Sequence, residues 1–232
     1  MESKVIAIIC ARGGSKGLKR KNILTINGEP LISRTIRHAT ESCCIDDIIV
    51  TTDDEEIRLI ATNAGAQAPF LRPKYLSQDD STTEETLQHA LITYEALTSK
   101  KYDICVFLSV CEIFRNPIWI ADCVNKLKQD SSLESVFVGY KTTKNFWELN
   151  EDNNWERVRP WMSLYSSRQI RRSIVREDTG LACASRSYLW REGRRIGDKI
   201  EVILNNDDFS FIDIHSEEDL ALAEAGLRIR EN

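Results

Sequence analysis

Short apolar runs alternate with amphipathic stretches along roughly the first 140 residues of the chain. The apolar runs predict strands at 5–9, 48–51, 104–108 and 135–138, and the stretches between them have the apolar spacing of helices. Strands that alternate with helices are typical of a parallel sheet covered on both faces. We therefore predict an α/β fold of three layers, with a mostly parallel sheet flanked by helices, in a single domain over residues 1–232.

Polar residues that cap helices mark where several of these helices begin. A Ser, Thr, Asp or Asn residue with Glu or Asp three positions later is a helix-start signature, and so is a proline in the first turn. Such patterns predict helices that begin near Pro30, Asp53, Ser81, Asn116 and Ser216. Towards the carboxyl terminus, three more strands are expected at 181–184, 200–204 and 209–213.

Residues 140–178 interrupt this alternation and combine aromatic with basic side chains. The segment holds Trp147, Trp155 and Trp161, which are three of the five tryptophans, and several arginines. A flexible linker lacks such content, and Trp and Arg are enriched at protein interfaces. We interpret 140–178 as an inserted excursion that joins two copies of the chain and contributes an anion site. An irregular subdomain with a solvated face is the alternative.

The net charge and the distribution of apolar residues argue against nucleic-acid and membrane partners. A net charge of −5 argues against a nucleic-acid-binding protein and makes local basic clusters sites for small anions. No apolar run approaches the roughly 18 residues of a membrane helix, and the first residues lack a signal-peptide core. The seven cysteines form no Cys-x-x-Cys pair and are expected to be reduced. We expect a cytoplasmic protein without membrane or nucleic-acid partners.

The most basic segment of the chain, residues 9–22, directly follows the first predicted strand. Its three glycines allow the backbone to approach a ligand with consecutive N–H groups, and its five positive charges suit a polyphosphate. The spacing is neither that of a phosphate-binding P-loop nor that of the dinucleotide fingerprint Gly-x-Gly-x-x-Gly. In parallel sheets ligands bind beyond the carboxyl ends of strands, so this loop predicts an anion site there.

These residues resemble the opening motif of the acylneuraminate (CMP-sialic acid) cytidylyltransferases, in which a strand leads into Ala-Arg-x-Gly-Ser-Lys-Gly and the loop ends with Lys-Asn. Cys10 stands where the family usually has proline. The stretches that carry the resemblance, in family order, are Ala11-Arg-Gly-Gly-Ser-Lys-Gly17 with Lys21-Asn22, Val50-Thr-Thr-Asp-Asp-Glu-Glu-Ile57, Arg72-Pro73 with Leu76 and Asp79-Asp80-Ser81, Ser167-Arg-Gln169, and Asp213-Ile-His215 with Asp219-Leu-Ala-Leu-Ala-Glu224.

The resemblance implies a nucleotide-diphospho-sugar transferase-like fold, a homodimer, and transfer of CMP from CTP to a sialic-acid-like 2-keto sugar acid with release of pyrophosphate. It implies that Arg12, Lys21 and Asp213 are catalytic, because phosphoryl-type transfer depends on positioning and on stabilisation of charge. The residues implied to bind the nucleotide are Ala11, Arg12, Gly13, Gly14, Ser15, Lys16, Lys21, Asn22, Arg72 and Asp80.

The metal implied by the resemblance is Mg²⁺, which prefers oxygen ligands and bridges phosphates. The family's Asp-x-Asp motif maps to Asp213 and His215, so Asp213 is the expected ligand and the second carboxylate is missing. His215 is then a helix-start residue, a phosphate contact or a base.

The acceptor motif departs further from the family. The family usually has Leu-Gln-Pro-Thr-Ser-Pro-Leu-Arg where this chain has Leu108-Ser-Val-Cys-Glu-Ile-Phe-Arg115, and in the family that glutamine contacts the sugar acid. Glu112 is left open as a replacement metal ligand, an acceptor contact or a surface carboxylate. The residues expected to bind the acceptor are Ser109, Glu112, Arg115, Arg168, Gln169, Thr179 and Gly180, with Arg171 and Arg172 as further candidates for its carboxylate.

The altered acceptor motif keeps two other functions open. The first is a nucleotidyltransferase for another acceptor, such as an octulosonate or a sugar 1-phosphate. The second is a catalytically silent relative that binds nucleotide, because function depends on the site and not on the fold.

Overall fold

A computed structural model describes residues 3–15, 17–167 and 169–231 of the chain. The helices are α1 Leu31–Glu41, α2 Glu55–Asn63, α3 Thr83–Thr98, α4 Pro117–Gln129, α5 Ser187–Arg191 and α6 Glu217–Glu231. The strands are β1 Val5–Cys10, β2 Thr25–Ile26, β3 Glu29–Pro30, β4 Asp47–Thr51, β5 Ile104–Leu108, β6 Ser135–Thr142, β7 Trp147–Leu149, β8 Trp155–Arg157, β9 Ile174–Glu177, β10 Cys183–Arg186 and β11 Ile200–Asn205.

The central sheet runs in the order β11-β6-β10-β5-β1-β4, and β9 pairs with the far end of β6. Strands β4, β1 and β5 are parallel, as are β6 and β11, whereas β10 and β9 are antiparallel to their neighbours. The predicted α/β fold with a mostly parallel sheet is therefore confirmed.

Alternating side chains of the buried strand β1 enter two separate apolar layers. Val5, Ala7 and Ile9 join the cluster formed with helices α1, α2, α4 and α6, whereas Ile6 and Ile8 pack with α3 and α5. Because strand side chains alternate in direction, a strand that is apolar at every position requires cover on both faces. This packing makes the three layers, and the strand order places the carboxyl end of β1 between those of β4 and β5.

Three local expectations are wrong. Asp54, and not Asp53, caps α2 by accepting from Glu56 N and Ile57 N, because Asp53 is engaged by the loop after β1. Thr82 caps α3 in a reciprocal pair with Glu85, one residue later than expected.

The third wrong expectation is the strand at 209–213. The stretch forms turns in which Asp207 accepts from Phe209 N at 2.9 Å, and Ser210 N donates to the Asp207 carbonyl. Local side-chain-to-backbone bonds of this kind compete with strand pairing. The segment therefore brings Asp213 back to the sheet edge as a loop before α6.

Residues 140–178 leave the sheet along β6 and return through β9. Between these strands lie the hairpin of β7 and β8 and a short 3₁₀ turn, Pro160–Ser163. The tip of the segment has few buried side chains, so most of its aromatic and aliphatic groups face solvent in a single chain.

Within the described part of the chain, no helix has the length and apolar content needed to cross a membrane.

Candidate active site

A cavity of about 410 Å³ opens at the carboxyl end of β1. Its wall comes from the loop after β1, from the segment around Arg72, from the first turn of α3 and from the loop before α6. Of the residues expected to bind nucleotide, the structure brings Arg12, Ser15, Lys21, Asn22 and Arg72 to this cavity.

The loop after β1 is held in shape by its own motif residues. Gly13 N donates to Asp53 Oδ1 at 2.9 Å, and the buried Asn22 donates from Nδ2 to the Arg12 carbonyl at 2.8 Å. Ala11 is fully buried and continues the pairing of β1 through a bond from its N–H to the Thr51 carbonyl. Ala11, Gly13 and Asn22 thus shape the loop.

Arg20 anchors this loop to α2 and does not add charge to the cavity wall. Its backbone has φ of 58°, and its guanidinium donates to Asp54 at 2.5 Å and to Glu56. The hydrogen bond with Asp54, together with both carboxylate charges, raises the Arg20 pKa. The basic cluster is therefore divided between Arg20, which binds protein carboxylates, and Arg12 and Lys21, which line the cavity.

Arg72 lies almost wholly inside the protein, beneath the cavity. It donates to the Thr51 carbonyl at 2.5 Å and to the Leu76 carbonyl at 3.4 Å, and burial lowers its pKa. Arg12 reaches across the opening to the Gln78 carbonyl at 3.0 Å and to Asp79 at 3.1 Å. These arginines give the wall a positive potential where a polyanion would enter.

Asp80 and Gly14 lie outside this cavity and line a neighbouring recess with Asp79. Lys16, which the sequence also placed at the nucleotide, lies outside the described residues. The assignments of Asp80, Gly14 and Lys16 stay predictions.

Two thiols form part of the cavity wall. Burial raises the pKa of Cys10 to about 11 and raises that of Cys111. Both therefore remain protonated near neutral pH and serve as small apolar surfaces, since only the thiolate is nucleophilic.

Three polar side chains lie in a row at the rim, Asp213 and His215 from the loop before α6 and Lys21 from the loop after β1. Lys21 Nζ lies 3.3 Å from His215 Nδ1, and His215 Nε2 lies 2.8 Å from Asp213 Oδ2. The other oxygen, Asp213 Oδ1, is buried without a hydrogen-bond partner among the described residues. Such an oxygen is under-satisfied and suits a cation.

These residues fit Mg²⁺ only in part. Asp213 Oδ1 is a suitable hard ligand, but His215 occupies the place of the second carboxylate, and imidazole is a poor ligand for Mg²⁺. The described residues contain no group of three or more His, Cys, Asp or Glu side chains placed to hold a metal. Mg²⁺ itself stays a prediction of the resemblance.

Arg115 lies beneath the acceptor motif and is only 3% exposed. It donates from Nη2 to the Ser109 carbonyl at 2.6 Å and the Gly180 carbonyl at 2.7 Å, and from Nε to the Leu181 carbonyl. Burial lowers its pKa to about 10. Arg115, expected to contact the acceptor, thus ties two loops together from below.

Glu112 packs its carboxylate against Gly180, so closely that a side chain at that glycine would overlap it. Burial raises the Glu112 pKa to about 7; the charge of Arg115 opposes this shift, and those of Asp213 and Asp178 add to it. Ser109 lies beside the same glycine and donates its N–H to the Gly180 carbonyl at 2.8 Å. Ser109, Glu112 and Gly180 are thereby brought together, with the buried Thr179 next in sequence.

The structure does not bring Arg171 or Arg172, two of the expected carboxylate-binding arginines, to this cluster. Arg171 donates to the Thr143 carbonyl and lies near the Tyr165 ring, and Arg172 lies over Trp161. Gln169 is exposed, and Arg168 lies outside the described residues. These residues stay predictions for a site formed with another chain.

Sequence reasoning overlooked several residues of the site. Arg176 pairs with Asp178 at 2.6 Å beside the acceptor cluster, and Thr83 and Thr86 of α3 line the cavity. The signal for the threonines is the hydroxyl-rich start of a predicted helix immediately after Asp79 and Asp80. Arg176 carried no distinguishing signal, because its neighbours come together only through the pairing of β6 and β9.

The fold is that of known nucleotidyltransferases. One solved structure, a CMP:2-keto-3-deoxy-manno-octonic acid synthetase complexed with CTP, superposes with a TM-score of 0.69 over 99% of this chain and 100% of its own, at 16% identity. A 4-diphosphocytidyl-2C-methyl-D-erythritol synthase from Anaerococcus prevotii superposes with a TM-score of 0.64 at 15% identity, over 97% of this chain and 99% of its own. At such identities the likeness shows the fold alone.

Sequence comparison identifies the family of nucleotidyltransferases to which the chain belongs. A cytidylyltransferase family model matches residues 6–101. The CMP-N,N'-diacetyllegionaminic acid synthase of Legionella pneumophila is 31% identical over 68% of this chain and 67% of its own length. The chain belongs to the acylneuraminate cytidylyltransferase family, as the motifs indicated.

Other relatives carry related names. The pseudaminic acid cytidylyltransferase of Campylobacter jejuni is 33% identical over 65% of this chain and 65% of its own length. The N-acylneuraminate cytidylyltransferase of Escherichia coli is 39% identical over 53% of this chain and 28% of its own length. The match thus covers less than two thirds of the length of these two relatives.

Proposed function

We propose that this protein transfers CMP from CTP to the anomeric hydroxyl of a nonulosonic, sialic-type 2-keto sugar acid. The acceptor oxygen forms a bond to the α-phosphorus, the bond from that phosphorus to the β-phosphate oxygen breaks, and pyrophosphate leaves. The hydroxyl proton passes to solvent. The observation that carries the proposal is the cavity at the end of β1, in which the family's opening motif forms a basic wall.

Arg12 and Lys21 have the chemistry to stabilise the departing pyrophosphate. Both line the cavity, one with a guanidinium group and the other with an ammonium group. Preorganised cations that face developing negative charge lower the barrier of such transfers. Gly13, Asn22 and Asp53 keep the loop rigid, so little reorganisation is required when the triphosphate binds.

The acceptor is expected on the side of Ser109, Glu112 and Gly180. This cluster adjoins the cavity through Cys111, which lines it. The described arginines of this side, Arg115 and Arg176, are engaged by backbone carbonyls and by Asp178. A cation for the acceptor carboxylate would therefore come from the excursion of a second copy.

The exposed face of residues 140–178 supports a homodimer. Trp155, Leu164, Tyr165 and Ile170 are 65%, 75%, 69% and 77% exposed in the single chain. Large apolar side chains grouped on one segment mark an interaction surface, and the interleaved arginines are typical of interfaces. A second copy of this chain satisfies both features.

Pyrophosphate release tests the reaction directly. Purified protein is incubated with CTP, a divalent ion and, in turn, N-acetylneuraminate, pseudaminate, legionaminate, an octulosonate or a sugar 1-phosphate. We expect release with CTP and at least one nonulosonic acid, and much less with ATP or UTP. Release only with the octulosonate or with a sugar 1-phosphate would move the function to the alternative acceptor.

A catalytically silent relative is the second candidate, because the acceptor glutamine and one metal carboxylate are replaced. Calorimetric measurement of CTP binding, combined with the pyrophosphate assay, distinguishes the two functions. CTP binding without pyrophosphate release for any acceptor would support the silent protein.

A further inference from the structure

Lys21 is held by a different kind of partner from its neighbour Arg20. The guanidinium of Arg20 is bound by the carboxylates of Asp54 and Glu56. The Lys21 ammonium instead lies 3.3 Å from His215 Nδ1 at the rim of the cavity. A carboxylate cancels the charge of the cation that it binds, whereas an imidazole nitrogen without a proton is a neutral acceptor. The contact with His215 therefore leaves the positive charge of Lys21 for a ligand.

Two hydrogen bonds set the protonation and the direction of the His215 ring. An ammonium can only donate, so Nδ1 accepts from Lys21 and carries no proton. The ring proton then lies on Nε2, which donates to Asp213 Oδ2 at 2.8 Å. A carboxylate that accepts from one ring nitrogen fixes the tautomer and the orientation of the ring. Asp213 thus turns Nδ1 of His215 towards Lys21.

The backbone of residues 213–215 is fixed at the rim. Ile214 N donates to the Cys111 carbonyl at 3.2 Å. Gly17 packs against the His215 carbonyl so closely that a side chain at that glycine would overlap it. The imidazole ring is therefore presented from a segment with little freedom to move.

A lysine side chain gains from such a partner because it is flexible. Its four-carbon stem has several rotatable bonds, and its ammonium carries three donors. One donor to His215 Nδ1 orders the Lys21 stem before a ligand arrives and leaves two donors for phosphate oxygens. Ordering a side chain in advance lowers the cost of binding.

We infer that His215 is a positioning residue for Lys21, whose ammonium its neutral Nδ1 holds at the cavity rim without cancelling the charge. This inference rests on the proposed function, because it requires that Lys21 binds the triphosphate of CTP. A carboxylate at position 215 would not fill this role, since it would neutralise the ammonium that it holds.

Calorimetry with CTP tests the contact and does not require turnover. A chelator is present, so that no divalent ion contributes to the affinity. His215→Ala removes the acceptor, and we expect the CTP affinity to fall about fivefold. His215→Asn places an amide oxygen close to the position of Nδ1, and its affinity should stay within about twofold of the wild type. Both variants should keep the wild-type denaturant midpoint, because the His215 side chain is 65% exposed.

A double-mutant cycle with Lys21→Ala shows whether His215 acts through Lys21. In the Lys21→Ala background, His215→Ala should change the CTP affinity less than about twofold. The same fivefold loss in both backgrounds would mean that His215 acts on the nucleotide independently of Lys21, and would overturn the inference.

Unchanged CTP affinity in His215→Ala, or equal losses in His215→Ala and His215→Asn, would also overturn the inference. Pyrophosphate release by the wild type would still support the proposed function in either case. Conversely, the expected pattern of CTP affinities without pyrophosphate release from any acceptor would refute the proposed function and keep the role of His215. The two failures are thus distinguishable.

Discussion

The proposed nucleotide half and the proposed acceptor half of the site are built differently. Around the loop after β1, hydrogen bonds within the motif hold the backbone, and Arg12 and Lys21 line an open cavity. Around the acceptor motif, Arg115 is buried under three carbonyls and Arg176 is paired with Asp178. Burial raises the Glu112 pKa to about 7, so this carboxylate adds negative charge to that half above pH 7.

In the described part of the chain, Arg12 and Lys21 face the cavity of the proposed nucleotide half, whereas Arg115 and Arg176 of the proposed acceptor half are engaged by the protein itself. An acidic acceptor requires a cation, and a guanidinium pairs with a carboxylate through two hydrogen bonds. Arginines lie on the exposed excursion, among its aromatic rings. The proposed dimer supplies them from the partner.

Adding negative charge to the excursion should have the largest effect of the substitutions considered. It should weaken self-association and leave CTP binding intact. We expect Leu164→Asp combined with Ile170→Asp to weaken self-association at least roughly 100-fold, because a desolvated charge at an interface is strongly unfavourable. CTP affinity should stay within about twofold. Sedimentation velocity and calorimetry measure the two quantities.

Leu59→Asp is the control, since it charges an exposed position on α2 away from the excursion. A wild-type protein that sediments as a monomer at micromolar concentration, with or without CTP, would remove the basis for the partner's contribution.

Removing the buried guanidinium of Arg115 should destabilise the loops of the acceptor half. In Arg115→Met the carbonyls of Ser109, Gly180 and Leu181 lose their donor, and we expect a loss of about 3 kcal/mol in the free energy of unfolding. Denaturant titration measures this loss. Arg194→Met, which breaks an exposed pair with Asp198, should change stability by less than about 0.5 kcal/mol. Equal effects of the two substitutions would contradict the role of Arg115.

Alanine substitutions at two glycines of the basic loop can be compared to test the nucleotide half. A methyl group at Gly17 meets the His215 carbonyl, whereas one at Gly14 meets open space. We expect Gly17→Ala to weaken CTP binding about tenfold, or about 1.4 kcal/mol, and Gly14→Ala to change it less than about twofold. Equal CTP affinities of the two variants by calorimetry would show that contact with residues 213–215 does not shape the site.

The acceptor carboxylate should give the most pH-dependent effect. Burial raises the Glu112 pKa from 4.5 to about 7, so the folded protein binds this proton more tightly than the unfolded chain does. Stability therefore falls as pH rises between these values. Glu112→Gln should match the wild type near pH 4.5 and exceed it by about 3 kcal/mol at pH 8.

Thermal unfolding across this pH range measures the difference, and Glu148→Gln, on the exposed hairpin, is the control. A difference between Glu112→Gln and the wild type that does not vary with pH would place Glu112 in solvent.

The strands around β1 and the site loop were within reach of the sequence, because both are marked by local patterns. Apolar runs of strand length, the cap at Asn116 and the glycine-rich basic loop are each contained in a few consecutive residues. The stretch 209–213 misled because its alternating pattern suits a strand, whereas Asp207 closes a turn there.

The acceptor half was less predictable because its contacts join distant parts of the chain. The guanidinium of Arg115 bonds to carbonyls about 65 residues away, and nothing in the local sequence distinguishes a buried arginine from one that faces a ligand. Likewise, Asp53 and Asp54 are adjacent and chemically alike. Only the loop packed against them decides that Asp53 holds Gly13 and that Asp54 caps α2.

CTP calorimetry on two lysine variants tests the central claim, that the loop after β1 holds a nucleoside triphosphate. Lys21 lines the cavity, whereas Lys19, two residues earlier in the same loop, is exposed. We predict that Lys21→Ala weakens CTP binding at least roughly 50-fold through loss of a charge-assisted phosphate contact, and that Lys19→Ala stays within about twofold of the wild type. Equal affinities of the two variants would contradict the assignment of the cavity.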